Sequence, residues 1–182
     1  SASANPANPA VVSLQPKPAA AQRNADADAV FFVTGANRGI GLEMAKQLLG
    51  RTQGVIVGAC RSPNDATALQ QLVEGNPNRV RIMQLDLTDQ ASITAMGDRM
   101  ANDHGRCDLL LNVAGILGDA KTTPGPERSL SAVERDWMLY SIQVNCVGPV
   151  MVTQALRALL HTAKTSRAPS VVANISARVG SI

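Results

Sequence analysis

Aromatic side chains are scarce in this sequence of 182 residues: two phenylalanines, one tryptophan and one tyrosine make up 2% of it. A nucleic-acid-binding surface commonly interleaves basic side chains with aromatic ones that stack on bases. The basic residues here are scattered and lack that pattern. The modest net charge of +3 therefore does not indicate a nucleic-acid partner.

Cysteine and histidine are also few, with three and two residues. Cys60, Cys107 and Cys146 are odd in number, widely spaced and set in apolar runs, which argues against a disulfide framework and favours reduced, buried thiols. His104 and His161 have no acidic or cysteine partner at the spacing of metal ligands. We therefore expect no metal site.

Long hydrophobic runs are missing as well, since none approaches the roughly 20 residues that cross a bilayer. No membrane span is expected. Residues 1–28 are rich in Ala, Pro, Asn and Ser, so we expect this segment to be disordered. Its first 25 residues contain no acidic side chain and could be the remnant of an organelle-targeting leader, with a simple flexible tail as the alternative. The expected compartment is the cytoplasm, or an organelle lumen or matrix if the segment is a leader.

Aliphatic residues are abundant, and hydrophobic residues reach 45% against 17% charged, as in a globular domain. Apolar, strand-like runs lie at 29–34, 54–60, 79–85, 107–112 and 170–175, and helical patterns at 38–50, 64–74, 89–102 and 131–163. This alternation predicts right-handed β-α-β units in one parallel sheet. We expect a doubly wound α/β (Rossmann) domain over residues 29–182, with strand order 3-2-1-4-5.

The turn from the first predicted strand into the first helix is the most informative segment. Its glycines suit, in order, a sharp turn, a close approach by a ligand and tight packing of helix on strand. The first amides of the helix lack intrahelical partners and carry the positive end of its dipole, which favours a pyrophosphate there. A plain β-α turn is the alternative. The predicted nucleotide-binding residues of this turn are Gly35, Asn37, Arg38, Gly39, Ile40 and Gly41.

The end of the second predicted strand bears on which dinucleotide binds. Sites for an unphosphorylated adenosine ribose place an acidic residue about 20 positions beyond the last glycine. Here that place holds Cys60 and Arg61. Arg61 and Arg38 together offer two guanidinium groups to a 2′-phosphate, which favours NADP(H) over NAD(H). The alternative is that both arginines are ordinary solvated loop residues.

Together these residues resemble the short-chain dehydrogenase/reductase family. The glycine spacing of Thr34-Gly35-x-x-x-Gly39-Ile40-Gly41 is that of the family, and the resemblance covers about residues 29–182. Further matches occur in the expected order at Asp86-Leu87-Thr88-Asp89, Asn112-Val113-Ala114-Gly115, Asn145 and Asn174-Ile175-Ser176. Residues 126–160 most resemble the C-factor-like carbonyl reductases. The resemblance implies that Asp86 and Leu87 frame the adenine, that Asn112, Ala114 and Gly115 pack against the nucleotide, and that Asn145 helps organise a catalytic proton relay.

Asn145 also has an account that needs no family likeness. Pro149 lies four residues later and has no amide hydrogen to pair with the Asn145 carbonyl. We therefore expect the helix to bend there and the freed carbonyl to hold a water that could pass protons near the nicotinamide. The alternative is a helix asparagine beside an ordinary proline kink.

Three departures from the family pattern matter. Val113 stands where the family has a second asparagine, so a polar contact at that turn is lost or supplied by backbone. If Gly180 is aligned with the family's glycine, the catalytic serine position falls on Ala177, and Ser176 or Ser181 would have to orient the substrate, of which we favour Ser176. The family's acid is a tyrosine with a lysine one helical turn later, and the single tyrosine here has no such lysine.

The leading hypothesis is that the chain is the N-terminal portion of an NADP(H)-dependent oxidoreductase that reduces small-molecule carbonyl compounds or oxidises alcohols, inactive by itself because the acid is missing. The alternative is a non-catalytic nucleotide-binding or structural subunit with the same fold. A Rossmann methyltransferase is disfavoured because the glycine spacing and Arg61 have no role there. A homo-oligomer, or membership of a larger assembly, is compatible with the sequence.

Overall fold

The computed structural model describes residues 18–118, 129–161 and 167–176. Its helices are α1 (Pro18–Ala25), α2 (Gly39–Arg51), α3 (Thr67–Gly75), α4 (Gln90–Asp103), α5 (Arg135–Ile142) and α6 (Gly148–Leu156). Its strands are β1 (Val30–Thr34), β2 (Val55–Cys60), β3 (Val80–Gln84), β4 (Leu109–Asn112) and β5 (Val171–Asn174). Short 3₁₀ turns cover Pro63–Asp65 and Leu130–Ala132, and a π-helical turn, Gln143–Val147, joins α5 to α6.

The strands form one parallel sheet in the order β3-β2-β1-β4-β5, so the predicted doubly wound fold and strand order are confirmed. β1 lies in the centre, where Phe32 pairs with Val57 on one side and with Leu110 on the other. All five residues of β1 are buried, as expected for a strand covered on both faces.

Alternate residues of β1 enter two different cores. Phe32 points to the face covered by α4 and α6, where it joins a cluster that includes Met100 and Leu156. Phe31 points to the opposite face and packs with Ala45 of α2. Because helices cover both faces of such a strand, consecutive residues along it are apolar. A ligand of this kind of sheet therefore binds at the carboxyl ends of the strands, where the turns lead into helices.

Residues 18–28 correct the expectation of disorder, while residues 1–17 lie outside the described residues. Arg23 of α1 is 7% exposed and donates from Nη2 to the carbonyl of Pro169 at 2.6 Å. Asp26 accepts at 2.7 Å from Arg106, which also binds the buried Asp108 at 2.7 Å. An isolated helix of eight residues is marginal in water, so these distant partners, which composition does not show, hold it in place.

The long helix predicted over 131–163 is divided. The amide of Gly148 donates to the carbonyl of Gln143, five residues earlier, and so closes a π-helical turn. Pro149 follows at once and cannot donate an amide hydrogen, so the helix is irregular beside this proline, while the expected bend and the freed Asn145 carbonyl stay predictions. Residues 162–166, at the end of the predicted helix, lie outside the described residues.

The cysteines differ in burial from the expectation. Cys60 and Cys107 are buried, but Cys146 is exposed. The apolar run around Cys146 belongs to the π-helical turn, where an extra residue per turn rotates successive side chains out of the helical pattern. In the described part of the chain, no helix has both the length and the apolarity required to cross a membrane.

Candidate functional site

A cleft of about 530 Å³ lies at the carboxyl ends of the strands. The predicted residues that line it are Gly35, Asn37, Arg38, Gly39, Ile40, Gly41, Arg61, Asp86, Leu87, Ala114 and Gly115. The residues that line it without having been predicted as site residues are Thr34, Cys60, Ser62, Asp65, Leu85, Thr88, Val113, Ile116, Tyr140 and Val144. The fold thus brings together the ends of β1, β2, β3 and β4 and one side of α5.

The glycine turn has the geometry that a phosphate group requires. Gly35 and Gly39 have φ values of +68° and +56°, which side-chain-bearing residues rarely adopt. A Cβ on Gly35 would lie 2.8 Å from the Cα of Ala114, whereas one on Gly39 would meet nothing within 4 Å and faces open space. A Cβ on Gly41 would overlap the carbonyl oxygen of Gly35. Gly35 and Gly41 therefore let the chain fold tightly, and Gly39 keeps an open approach to the backbone.

The start of α2 is available to an anion. Arg38, the N-cap residue, has extended backbone and its side chain makes no capping hydrogen bond. The first turn of α2 carries no acidic residue. The free amides and the helix dipole are therefore not neutralised by the helix's own side chains, which fits a pyrophosphate above Gly39.

Thr34 connects the two turns that flank the cleft, although it was not predicted as a site residue. Its Oγ1 accepts hydrogen bonds from the amides of Val113 and Ala114, both at 3.0 Å. The contact that Val113 could not make with its side chain is thus made by its backbone. A hydroxyl residue at the end of a buried strand was the available signal for this role.

Arg61 and Tyr140 meet across the cleft. Nη1 of Arg61 donates to the hydroxyl of Tyr140 at 3.0 Å. The Tyr140 ring is half-buried and lies 5.8 Å from the ring of Trp137, tilted by 46°. Sequence reasoning missed Tyr140 because its partner is 79 positions away.

Asp86 shapes the turn after β3. Its Oδ1 accepts from the amide of Thr88 at 2.9 Å and from the Thr88 hydroxyl at 2.7 Å. Burial by itself would raise the pKa of Asp86, but the Thr88 hydrogen bonds and the charge of Arg61 outweigh it, so this pKa lies below its usual value. The carboxylate is therefore ionised and occupied in holding the turn, beside Leu87 in the wall of the cleft.

Asp65 is a second carboxylate in the wall of the cleft, and it was not predicted as a site residue. It lies four residues after Arg61, on the 3₁₀ turn that follows β2. Sites for an unphosphorylated ribose have an acidic residue near the position of Arg61, so the nearness of Asp65 to that position was the signal that could have found it. Both signs of charge thus face the same end of the cleft.

Asn145 lies on the π-helical turn and binds the loop after β4. Its Nδ2 donates to the carbonyl of Ile116 at 2.7 Å, and its Oδ1 accepts from the Ile116 amide at 2.8 Å. Ile116 and Gly115 line the cleft, so Asn145 positions its wall without itself being part of the lining. A role in proton relay stays a prediction.

Asn112 and Ser176 are not among the residues that line the cleft. Asn112 is 4% exposed, and its Nδ2 donates to Oδ1 of Asn174 on the neighbouring strand at 2.8 Å. This side chain joins β4 to β5, so its direct contact with a nucleotide stays a prediction. Ser176 is exposed at the same edge of the sheet, just beyond β5. The positions Ala177 and Ser181, weighed beside it, lie outside the described residues.

Within the described ranges, no group of three or more His, Cys, Asp and Glu residues is arranged to hold a metal ion. The glycine turn after β1, the uncapped start of α2 and the cleft at the strand ends define a protein of the Rossmann type, a fold that binds dinucleotides at this edge of the sheet in many proteins. The model of the short chain dehydrogenase family matches residues 29–182. The chain belongs to this family of oxidoreductases, as its motifs predicted.

Curated relatives agree with the family. An uncharacterized oxidoreductase of Schizosaccharomyces pombe is 33% identical over 136 residues, which cover 75% of this chain and 51% of the relative. Carbonyl reductase (NADPH) 1 of Bos taurus is 36% identical over 96 residues, which cover 52% of this chain and 35% of the relative. The chain spans about half the length of the curated relatives it matches, with 51%, 56% and 57% covered in three of them.

Solved structures of the family are similar as well. The NADPH-bound carbonyl reductase from chicken fatty liver has a TM-score of 0.73 at 29% identity, over 84% of this chain and 58% of that protein. A metagenomic short-chain oxidoreductase in complex with NADP has a TM-score of 0.68 at 25% identity, over 88% of this chain and 66% of that protein.

Proposed function

We propose that the protein transfers hydride between NADP(H) and a small-molecule carbonyl compound or alcohol. The observation that carries the cofactor assignment is the position of Arg38 and Arg61 in the wall of one cleft, beside the glycine turn. Guanidinium groups bind phosphate strongly because they donate several hydrogen bonds in a plane. The NADP-bound and NADPH-bound relatives support this assignment.

In this proposal each part of the cofactor lies against a particular group of residues in the cleft. The pyrophosphate fits the open backbone of Gly39 and the start of α2. The adenosine end fits the region between Arg61 and Leu87, and the nicotinamide end fits the loop at Gly115, which Asn145 holds through Ile116. When bound, the nicotinamide supplies or accepts the hydride, and the chain supplies orientation.

Hydrogen-bond donors at the adenosine end favour NADP(H) over NAD(H). The two arginines that line the cleft, Arg38 and Arg61, are equalled in formal charge by Asp65 and Asp86. Asp86 already accepts hydrogen bonds from Thr88 and has Arg61 as a nearby countercharge, whereas Asp65 would repel a 2′-phosphate. We therefore expect the attraction for the phosphorylated ribose to come from the hydrogen bonds that the two guanidinium groups donate, and not from an excess of positive charge.

The proton donor of the family is a tyrosine with a lysine one helical turn later, and the single tyrosine of this sequence, Tyr140, is followed by Val144 at that spacing. The Tyr140 hydroxyl accepts a hydrogen bond from Arg61 at the adenosine end of the cleft. We therefore expect residues 1–182 alone to bind the cofactor without measurable turnover. Assay of this polypeptide with NADPH and simple aldehydes or ketones tests that expectation.

Titration with NADPH and NADH, followed by nicotinamide fluorescence, tests the cofactor. We expect NADPH to bind at least about tenfold more tightly, and Arg61→Asp to reverse that preference. Arg51→Asp is the matched control, because Arg51 is exposed at the far end of α2 and the charge change is the same. Equal affinities for the two cofactors, or an equal effect of both substitutions, would overturn the assignment.

A further inference from the structure

The Arg61–Tyr140 hydrogen bond joins the end of β2 to α5 across the cleft. Arg61 is exposed, whereas Tyr140 is half-buried, stacks obliquely on Trp137 and packs against the core under α4 and α6. The phenol of Tyr140 is therefore the fixed partner of the pair, and it determines the position of the flexible Arg61 guanidinium.

The π-helical turn and α6, which follow directly after α5, are fixed against the strand ends. Gln143 of the π-helical turn donates from Nε2 to the carbonyl of Thr88 at 3.0 Å. A Cβ on Gly148, the first residue of α6, would lie only 2.8 Å from the Cβ of Leu87, so α6 begins very close to the turn after β3. The Tyr140 hydroxyl consequently has a defined place relative to the adenosine end of the cleft.

We propose that Tyr140 is a positioning residue for Arg61, holding its guanidinium where a ribose 2′-phosphate binds, and thereby sets the preference for NADP(H). This rests on the proposed function. An arginine side chain has many rotamers, and fixing one of them before the ligand arrives reduces the entropy lost on binding. Since guanidinium has five N–H donors, one bond to Tyr140 leaves others for the phosphate.

The surroundings of Arg61 explain why its guanidinium needs the hydrogen bond to Tyr140. The carboxylate of Asp86 lies near enough for the two charges to interact, and it attracts Arg61 toward the turn after β3. The Tyr140 hydroxyl draws the guanidinium toward α5 instead. Without that hydroxyl, the arginine is free to settle on Asp86, where it neutralises a carboxylate of the protein and not the ligand.

Tyr140→Phe tests the proposal in the full-length protein, because it removes the hydroxyl and keeps the ring against Trp137. We expect NADPH to bind about three- to tenfold more weakly, as for the loss of one charge-assisted hydrogen bond, and NADH to bind within about twofold of the unchanged protein. The fragments 2′-AMP and 5′-AMP, used as competitors, should show the same contrast. Gln143→Leu is the control. It removes the hydrogen bond from the π-helical turn to Thr88 and should lower the affinities for NADPH and NADH alike.

The same substitution in an Arg61→Ala background separates the possible outcomes. If Tyr140 acts through Arg61, Tyr140→Phe has no further effect there. A persistent effect would mean that the hydroxyl contacts the phosphate directly, and an equal loss of NADPH and NADH affinity would mean a purely structural role; each overturns the proposal. If Arg61→Ala leaves the NADPH-to-NADH ratio unchanged, the cofactor assignment fails as well. If only Tyr140→Phe leaves it unchanged, the assignment stands and the role of Tyr140 is refuted.

Discussion

The side-chain amide of Asn145 makes two hydrogen bonds to the backbone of Ile116: Nδ2 donates to the carbonyl at 2.7 Å, and Oδ1 accepts from the N–H at 2.8 Å. The pair joins the π-helical turn to the loop that forms one wall of the cleft. A single side chain thus holds this turn and this loop in one arrangement.

Replacing Asn145 with Ala removes both hydrogen bonds. We expect the free energy of unfolding to fall by about 1–2 kcal/mol, because the Ile116 groups remain partly hydrated in this exposed region. NADPH and NADH affinities should fall together, since the loop contacts no phosphate-specific group. Urea unfolding and fluorescence titration measure the two effects. Asn102→Ala, at an exposed position of α4, should change neither, and a drop for NADPH alone would contradict this role of Asn145.

Gly41 and Gly50 belong to the same helix but have different surroundings. A Cβ on Gly41 would overlap the Gly35 carbonyl, whereas one on Gly50 would meet nothing within 4 Å. We expect Gly41→Ala to destabilise the protein by about 1–3 kcal/mol and to abolish nucleotide binding, because the glycine turn must shift. Gly50→Ala should stabilise it by up to about 1 kcal/mol through helix propensity. Thermal unfolding temperatures measured with and without NADPH distinguish the two variants. Tight NADPH binding by Gly41→Ala would refute the role of Gly41 in the close packing of α2 on the turn.

The three thiols should differ in reactivity. Burial, reinforced by the charge of Asp108, raises the pKa of Cys107 to about 12. Burial also raises the pKa of Cys60, against a smaller effect of the Ser62 amide, while Cys146 is exposed. Iodoacetamide at about pH 8 should therefore modify Cys146 first and the other two only after unfolding, because the thiolate is the reacting form. Peptide mass spectrometry reads the order, and early labelling of Cys107 would contradict the burial.

Asp86 should make stability depend on pH in the acid range. Its pKa in the folded protein lies below the ordinary value of 3.8, because the Thr88 hydrogen bonds and Arg61 outweigh the effect of burial. Its contribution is complete above that ordinary value and is lost as the pH falls through the folded pKa. The difference in stability between the unchanged protein and Asp86→Asn should therefore widen as the pH rises through the folded pKa toward the ordinary value of 3.8, and stay constant at higher pH. Urea unfolding at several pH values measures it; a constant difference would refute the ionised state of Asp86.

Local patterns predicted much of this molecule. The strands at 29–34 and 54–60, for example, agree with β1 and β2 within one residue. The glycine turn could be predicted because each glycine is required by backbone geometry within a few residues of itself. Asp89, another local feature, accepts a hydrogen bond from the amide of Ala91 and caps α4. Such features depend on backbone geometry that a short stretch of chain determines alone.

The features that sequence reasoning missed all have distant partners. The segment 18–26 is short and alanine-rich, and Pro169 and Arg106 hold it from 80 or more positions away. The side chain of Asn112 donates a hydrogen bond to Asn174, 62 positions later, a contact that its own segment did not indicate. In the sequence, Tyr140 stands out only because it lacks the family's lysine, and only the fold brings Arg61 to it.

By itself, then, the sequence determined the alternation of strands and helices, the glycine turn after β1 and the family, because periodicity and glycine placement act over a few neighbouring residues. Tertiary structure alone decided which side chains meet at the adenosine end of the cleft and that Asn145 holds Ile116. Those contacts join segments 79 and 29 positions apart. Their geometry follows from the order of the strands and from the extra residue of the π-helical turn, which no single segment encodes.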